Sequence, residues 1–381
     1  MNPLQDYALG SGWALALGVG IYFWPISGRD RKALASVWAV KVLVTLAAMR
    51  FYERRYGVVD DYALDAARNI SGWGGFSLGA GEENLWQLIW IHLRLGFNSV
   101  HALEVSFSMA GLIGVYLFYR AGVILCRCEN LRAFYFLAIF PSILFWSSIL
   151  GKDPLSLLAM AVYSYGVVSL QLSRGYRPLF PACLGIVAAS YVRVWMGPIM
   201  IVPAILIMMK AVPRNSARII LLLGLFVFGA LCARSLIASL SELREIRSMA
   251  IASFQNGNST ITAPEINAVK DVVRQLPAAE FTALFRPLPG DVPGVLGFLA
   301  GLENAALLLI LAIALIRSRW ADLRQPLVVW AVLLLAAWGA VYGLTVYNYG
   351  ALVRYKLQIL PLLLGLLLYL SHSRKASVDR R

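Results

Sequence analysis

Long apolar runs separated by short basic linkers set the character of this chain. Ile219–Ala233, Phe298–Ile316 and Leu357–Leu370 contain few polar residues and show no alternating polar face. A helix half-buried in a soluble core would show such a face. The hydrocarbon core of a bilayer is roughly 30 Å thick, so runs near 20 residues read as membrane-crossing helices. The pattern predicts an all-α integral membrane protein with about 11 spans, at roughly 8–26, 33–49, 102–124, 133–150, 154–172, 179–195, 198–210, 218–239, 296–316, 326–346 and 357–371.

Charge gives these spans a direction. The chain is 60% hydrophobic and 14% charged, with a net charge of +14. The excess of basic residues falls on alternate linkers: Arg29–Lys32, Arg120–Arg132, Arg174–Arg177, Lys210–Arg218, Arg317–Arg324 and Arg374–Arg381. The rest of the chain is balanced. The positive-inside rule places these linkers in the cytoplasm, with the N-terminus outside and the C-terminus inside. Arg50, Arg54 and Arg55 run against that trend and are read as snorkelling at the interface. Met1–Gly10 has no basic region, so no cleaved signal peptide is expected. Basic linkers beside anionic lipid explain the charge, and no nucleic-acid partner is implied.

The resulting organisation has two spans in 1–49, an outer-face loop in 50–101 and a transmembrane core in 102–240. A second outer-face loop in 241–295, three spans in 296–371 and a basic tail in 372–381 follow. Both long loops are expected to carry short amphipathic helices.

Residues able to do chemistry collect on the outer side. In the first loop Asp60 suits a helix N-cap, and Asp61, Asp65 and Arg68 share a face at helical spacing. A surface helix with internal ion pairs is the bland alternative. Gly72–Gly81 is glycine-rich and suited to a loop that moves, and Leu85–Ile91 reads as an interfacial helix. Lys152-Asp153-Pro154 forms a turn in which Asp153 would cap the next helix, leaving Lys152 for an anion. Arg193 ends an apolar span. Thr262–Glu265 resembles a capping box opening a helix to about Gln275.

Arg286 stands in a proline-rich segment, and Glu303 lies within a span, where a carboxylate is a candidate for function. Arg354 and Lys356 approach the last span against the positive-inside trend, flanked by Tyr349 and Tyr355, and binding an anion is the reason proposed. Carboxylates to activate a hydroxyl, with cations for a departing phosphate, are what glycosyl transfer from a lipid phosphate needs. The Cys126/Cys128 pair lacks the further ligands of a structural zinc, and no paired-histidine motif is present.

At these residues the chain resembles the GT-C superfamily of membrane glycosyltransferases. The likeness rests on Asp60-Asp61-Tyr62 with Ala66, on Leu93–Ser99 closing the first loop, and on Asp153 in the next. It is also similar to membrane proteins of bacterial exopolysaccharide gene clusters. That similarity rests on Trp146-Ser147-Ser148 with Gly151-Lys152-Asp153-Pro154, on Phe285-Arg286-Pro287 with Pro289, and on Leu302-Glu303-Asn304. It also takes in Asn348, Gly350, Arg354, Lys356 and Pro361, and covers about residues 55–365. The catalytic-type loop follows the second span, one later than the family pattern, and the C-terminal soluble domain of many oligosaccharyltransferases has no counterpart.

The resemblance implies transfer of a sugar from a polyprenyl-phosphate or diphosphate carrier to a glycan or lipid acceptor, outside a bacterial inner membrane. Asp60, Asp61 and Asp153 would be catalytic, with a divalent metal such as Mg or Mn shared by Asp61 and Asp153. Lys152, Arg193, Arg286, Arg354 and Lys356 would hold the donor phosphate. Asp65, Arg68, Glu303, Tyr349 and Tyr355 would support them. The alternative is a polysaccharide polymerase resembling O-antigen polymerases, working through Arg193, Arg286 and Arg354 without metal. A transporter or flippase ranks third, because Lys41 is the lone charge near mid-depth and no internal repeat is visible.

Overall fold

The computed structural model describes residues 3–48, 61–96, 98–172, 177–211, 259–264 and 269–378. They are helical, with no strand; a single antiparallel bridge joins Thr260 to Asn348. The chain divides into two units, Met1–Gly197 with Leu357–Pro361 and Pro198–Lys356 with Leu362–Arg381.

In the first unit α1 (Pro3–Ile21) and α2 (Gly28–Leu43) precede a π-helical turn, Val44–Ala48. Two short helices of the first loop follow, α3 (Asp61–Arg68) and α4 (Gly81–Arg94). Then come α5 (Val100–Cys126), α6 (Leu131–Ile139), α7 (Pro141–Trp146), α8 (Lys152–Leu172) and α9 (Leu179–Val192). The centre of the unit is α8, packed on α5 along one side and α9 along the other. The α8–α9 approach depends on small residues: a methyl at Gly166 would overlap Ala182, and one at Gly185 would overlap Tyr163. Close backbones of this kind give apolar helices the dispersion contact that lipid cannot supply.

Both ends of this unit are tied in a way that agrees with antiparallel helices. Tyr116 and Arg120, late in α5, bond Asp30 at the start of α2 at 2.7 and 3.2 Å. At the other end His101, early in α5, bonds Glu104 at 2.7 Å and its ring lies tilted against Tyr7 of α1, with centres 4.2 Å apart. The basic linkers around Arg29–Lys32 and Arg120–Arg132 therefore share an end, as their charge predicts.

The second unit contains α10 (Met196–Ala211, which begins at the end of the first), α11 (Val269–Phe285), α12 (Val295–Arg317), α13 (Trp320–Leu323), α14 (Pro326–Thr345), α15 (Tyr349–Lys356) and α16 (Leu360–Val378). Trp330, Trp338 and Tyr342 of α14 are buried. Along α12, Phe298, Leu299, Leu302, Leu309 and Leu315 stay exposed, as a lipid-facing side would.

Several sequence expectations change. Four described helices are long and apolar enough to cross a membrane: α5, α8, α12 and α14. Counting the bent pair Tyr349–Lys356 with Leu360–Ser371 makes five, and Leu179–Val192 and Met196–Ile205 are shorter apolar helices. The described residues do not confirm a count of about 11, and the span expected at 218–239 lies outside them. The span expected at 133–150 is split between α6 and α7 at Phe140–Pro141, because proline cannot donate the helical bond.

Thr262–Pro264 are not helical, residues 265–268 with the capping-box Glu265 lie outside the described residues, and the helix described from Val269 continues past Gln275 to Phe285 with Pro277 inside it. An internal proline costs a helix about 3 kcal/mol. Packing offsets it: α11 lies on α14 so closely that a methyl at Gly343 would overlap Ala279.

Candidate functional site

The first unit brings two separated sequence clusters together. Asp153, predicted as an N-cap, instead sits inside the first turn of α8, which begins at Lys152. A carboxylate there still suits the helix dipole. Its Oδ1 accepts a hydrogen bond from Arg193 Nη2 at 2.9 Å, with exposures of 0% for Asp153 and 8% for Arg193. Arg193 can reach it because α9 ends at Val192 and the backbone of Arg193 turns extended. Each charge would be costly alone at this depth, and the pair satisfies both.

Lys152 points elsewhere. Its Nζ is 3.6 Å from Glu82 Oε1 in the first turn of α4. Sequence reading passed over Glu82, since an acid in a first turn is ordinary. Asn84 is also new: its amide donates to Ser77 O and Tyr191 O, both at 2.7 Å, and its oxygen accepts from Ser77 N. Gln87 accepts from Gly74 N at 3.2 Å. The glycine-rich segment is thus held against α4 and the end of α9 by two amide side chains.

Between α4, α8 and α9 lies a cavity of about 350 Å³. Leu85, Leu88, Leu155, Val162 and Ala188 line it, and Lys152 reaches its edge. Phe76 and Tyr191 stand beside that edge with ring centres 6.0 Å apart. Close packing keeps the region narrow: a methyl at Gly81 would overlap Val192 O.

The acidic helix of the first loop is partly described. Asp60 lies outside the described residues, and Asp61 opens α3. Asp65 pairs with Arg68 at 3.1 Å, three residues apart on an exposed face, and Arg68 also bonds Asn98. Leu64 and Ala67 of α3 pack with Leu85 and Ile89 of α4 and with Leu103, Phe107 and Leu150. The expected interfacial helix 85–91 is therefore partly core.

Behind the turn, Lys41 of α2 is buried and donates to Ser147 Oγ at 2.7 Å, Ser148 Oγ at 2.9 Å and Ser147 O at 3.0 Å. Its three protons have three acceptors, which fits the ammonium inventory. The helix break after Trp146 supplies them, so the Trp-Ser-Ser turn fixes this buried lysine.

The second unit holds another cluster. Arg286 makes a two-pronged contact with Asp291, at 2.8 and 2.5 Å, and lies 5.0 Å from the Tyr349 ring. The hydrogen bond from Arg286, aided by Leu288 N, holds the Asp291 carboxyl below its usual range, and the same bond raises Arg286. Lys356 Nζ bonds Asn304 Oδ1 at 2.7 Å and Arg286 O at 3.3 Å, and Asn304 Nδ2 bonds Pro287 O at 2.8 Å. Glu303 and Arg354 are half-buried, and Tyr355 tilts against Tyr342 at 5.5 Å. Here Arg286, Tyr349 and Lys356 come together, along with Asp291, which sequence reading passed over.

Among the described residues no group of three or more His, Cys, Asp or Glu side chains is placed to hold a metal. Of the proposed pair, Asp153 already faces a guanidinium where a cation would bind. The side chain of Asp61, its proposed companion, lies outside the described residues. Comparison with family models, curated proteins and solved structures finds no match.

Proposed function

We propose that this chain is a membrane glycosyltransferase acting on the outer side of a bacterial inner membrane. It transfers a sugar from a polyprenyl-phosphate or diphosphate carrier to a glycan or lipid acceptor in polysaccharide assembly. One observation carries the reading: Lys152, Asp153 and Arg193 converge from two helices beside a cavity lined by hydrocarbon. An ionic cluster next to an apolar space suits a substrate with a phosphate and a long apolar chain. The helices of membrane-crossing length and the positive linkers support it.

In the proposed reaction the acceptor oxygen forms a bond to the sugar's anomeric carbon. The bond from that carbon to the carrier phosphate breaks, and the phosphate leaves with the electron pair. Asp60 or Asp61 accepts the acceptor's hydroxyl proton. Lys152 neutralises the departing phosphate. Lys152 is preferred to Lys356 for this step because Glu82, its partner, is 55% exposed and 3.6 Å away, whereas Lys356 is 2% exposed and bonds two acceptors. Arg193 holds the Asp153 carboxylate in place.

The test is transfer of a labelled sugar from a short-chain prenyl-phosphate donor by purified protein in nanodiscs. Asp60→Asn, Asp61→Asn and their double variant lower turnover by roughly 10²–10⁴ if either carboxylate is the base. Normal transfer by all three would reject the base assignment, and absence of transfer with every prenyl-linked donor would reject the class. The polymerase reading draws on the burial of Arg193. In that case Arg193→Lys abolishes transfer while the aspartate variants and chelation of divalent ions leave it intact.

A further inference from the structure

We infer that the cavity between α4, α8 and α9 holds the first stretch of a lipid phosphate's hydrocarbon chain, and that Glu82 occupies the anion position on Lys152 until the phosphate displaces it. This deepens the glycosyltransferase reading and rests on it for the chain being prenyl.

The geometry argues for a chain rather than a polar ligand. Leu85 and Leu88 from α4, Leu155 and Val162 from α8, and Leu184 and Ala188 from α9 all face the cavity. Asn84 also borders it, but its amide is spent on Ser77 and Tyr191. Lys152 is the cation at the edge. Leu184 both lines the cavity and is exposed, so the space reaches the surface of α9 that a bilayer would cover. At about 350 Å³ the cavity is near the small end of ligand pockets, roughly 300–1,000 Å³. It takes a segment of chain, and the remainder lies in the bilayer beyond Leu184.

Charge argues for the phosphate. Glu82 reaches Lys152 at 3.6 Å, longer than the ~2.7–2.9 Å of a well-formed ammonium–carboxylate hydrogen bond. A carboxylate that exposed gains little from the pair. A phosphate brings more charge and more acceptor oxygens, and its chain gains the apolar lining that Glu82 cannot use. Glu82 would compete with the phosphate, so its removal would tighten binding.

The experiment uses the full chain in nanodiscs of zwitterionic phospholipid with a photoreactive prenyl monophosphate, its diazirine close to the phosphate. Crosslinks are mapped by mass spectrometry. Labelling is expected on α8 and α9 around Leu155 and Leu184, and Glu82→Gln should bind the probe about two- to five-fold more tightly, the worth of an exposed pair. Lys152→Gln should weaken it roughly ten- to a hundred-fold, the worth of a charged hydrogen bond. Ala188→Phe, which fills the cavity, should remove the label. Because that variant is at risk of misfolding, Glu82→Gln on the exposed helix start carries the test independently.

Competition by unlabelled prenyl phosphate, but not by inorganic phosphate or by an anionic phospholipid, is expected. Competition by inorganic phosphate alone would overturn the chain pocket, and equal competition by phospholipid would overturn the prenyl assignment. Weaker binding by Glu82→Gln would overturn the competitor role, and labels confined to the Arg354 segment would overturn the site. Binding here without sugar transfer keeps this pocket and rejects the enzyme. Transfer with no label here does the reverse.

Discussion

Arg193 donates to Asp153 across 2.9 Å, linking the end of α9 to the first turn of α8, with neither side chain more than 8% exposed. Forty residues separate them, yet each has the other as a charged partner at the site where Lys152 also emerges. The pair both closes the end of the helix packing and sets the charge of the site.

Breaking that pair from one side leaves a buried charge. Arg193→Ala or Asp153→Ala should cost about 3–5 kcal/mol, seen as a fall in thermal unfolding temperature of the purified protein. Replacing both by apolar residues of similar size should cost much less. If each single variant melts like the parent, the contact contributes nothing.

The lysine node predicts a graded response. Ser147→Ala and Ser148→Ala each remove one acceptor from Lys41 and should cost about 1–3 kcal/mol. The double variant leaves the Ser147 carbonyl as the one acceptor described here and should lose more than the sum. Lys41→Met should partly restore it, because the cation is then gone. Denaturation in one detergent measures all four.

The second unit offers a pH test. Asp291 has its folded carboxyl held below the usual range by Arg286. A depressed folded value means its stabilisation is complete above the unfolded value, about 3.9. It is lost as pH falls from there through the folded value. Asp291→Asn should therefore be less stable than the parent at neutral pH, with the gap closing under acid conditions. A gap that does not change with pH would contradict the assigned ion pair.

The charge pattern predicts sidedness. A single cysteine at position 259 should react with an impermeant reagent in intact cells. Cysteines at 127 and 319 should react with an impermeant reagent only after permeabilisation. Labelling at 319 but not at 259 would invert the topology and remove the outer-face site.

The sequence alone carries the helical class, the apolar helices of membrane-crossing length and the grouping of basic linkers. These follow from uninterrupted apolar runs and from charge position, which are local properties. It also singled out Lys152, Asp153, Arg193, Arg286 and Lys356, since charges at helix ends are visible without a fold. Their partners were not legible. Glu82, Asn84 and Asp291 look like ordinary surface residues along the chain, and Asp153 reads as a cap until Arg193 is beside it. The break at Phe140–Pro141 follows from the proline itself, whereas the helix through Pro277 was decided by packing, where neighbouring backbones outweigh local preference. That α4, α8 and α9 border an apolar cavity with Lys152 in its lining is not visible along the chain, because a cavity is a property of how helices cross and of the small residues that let them.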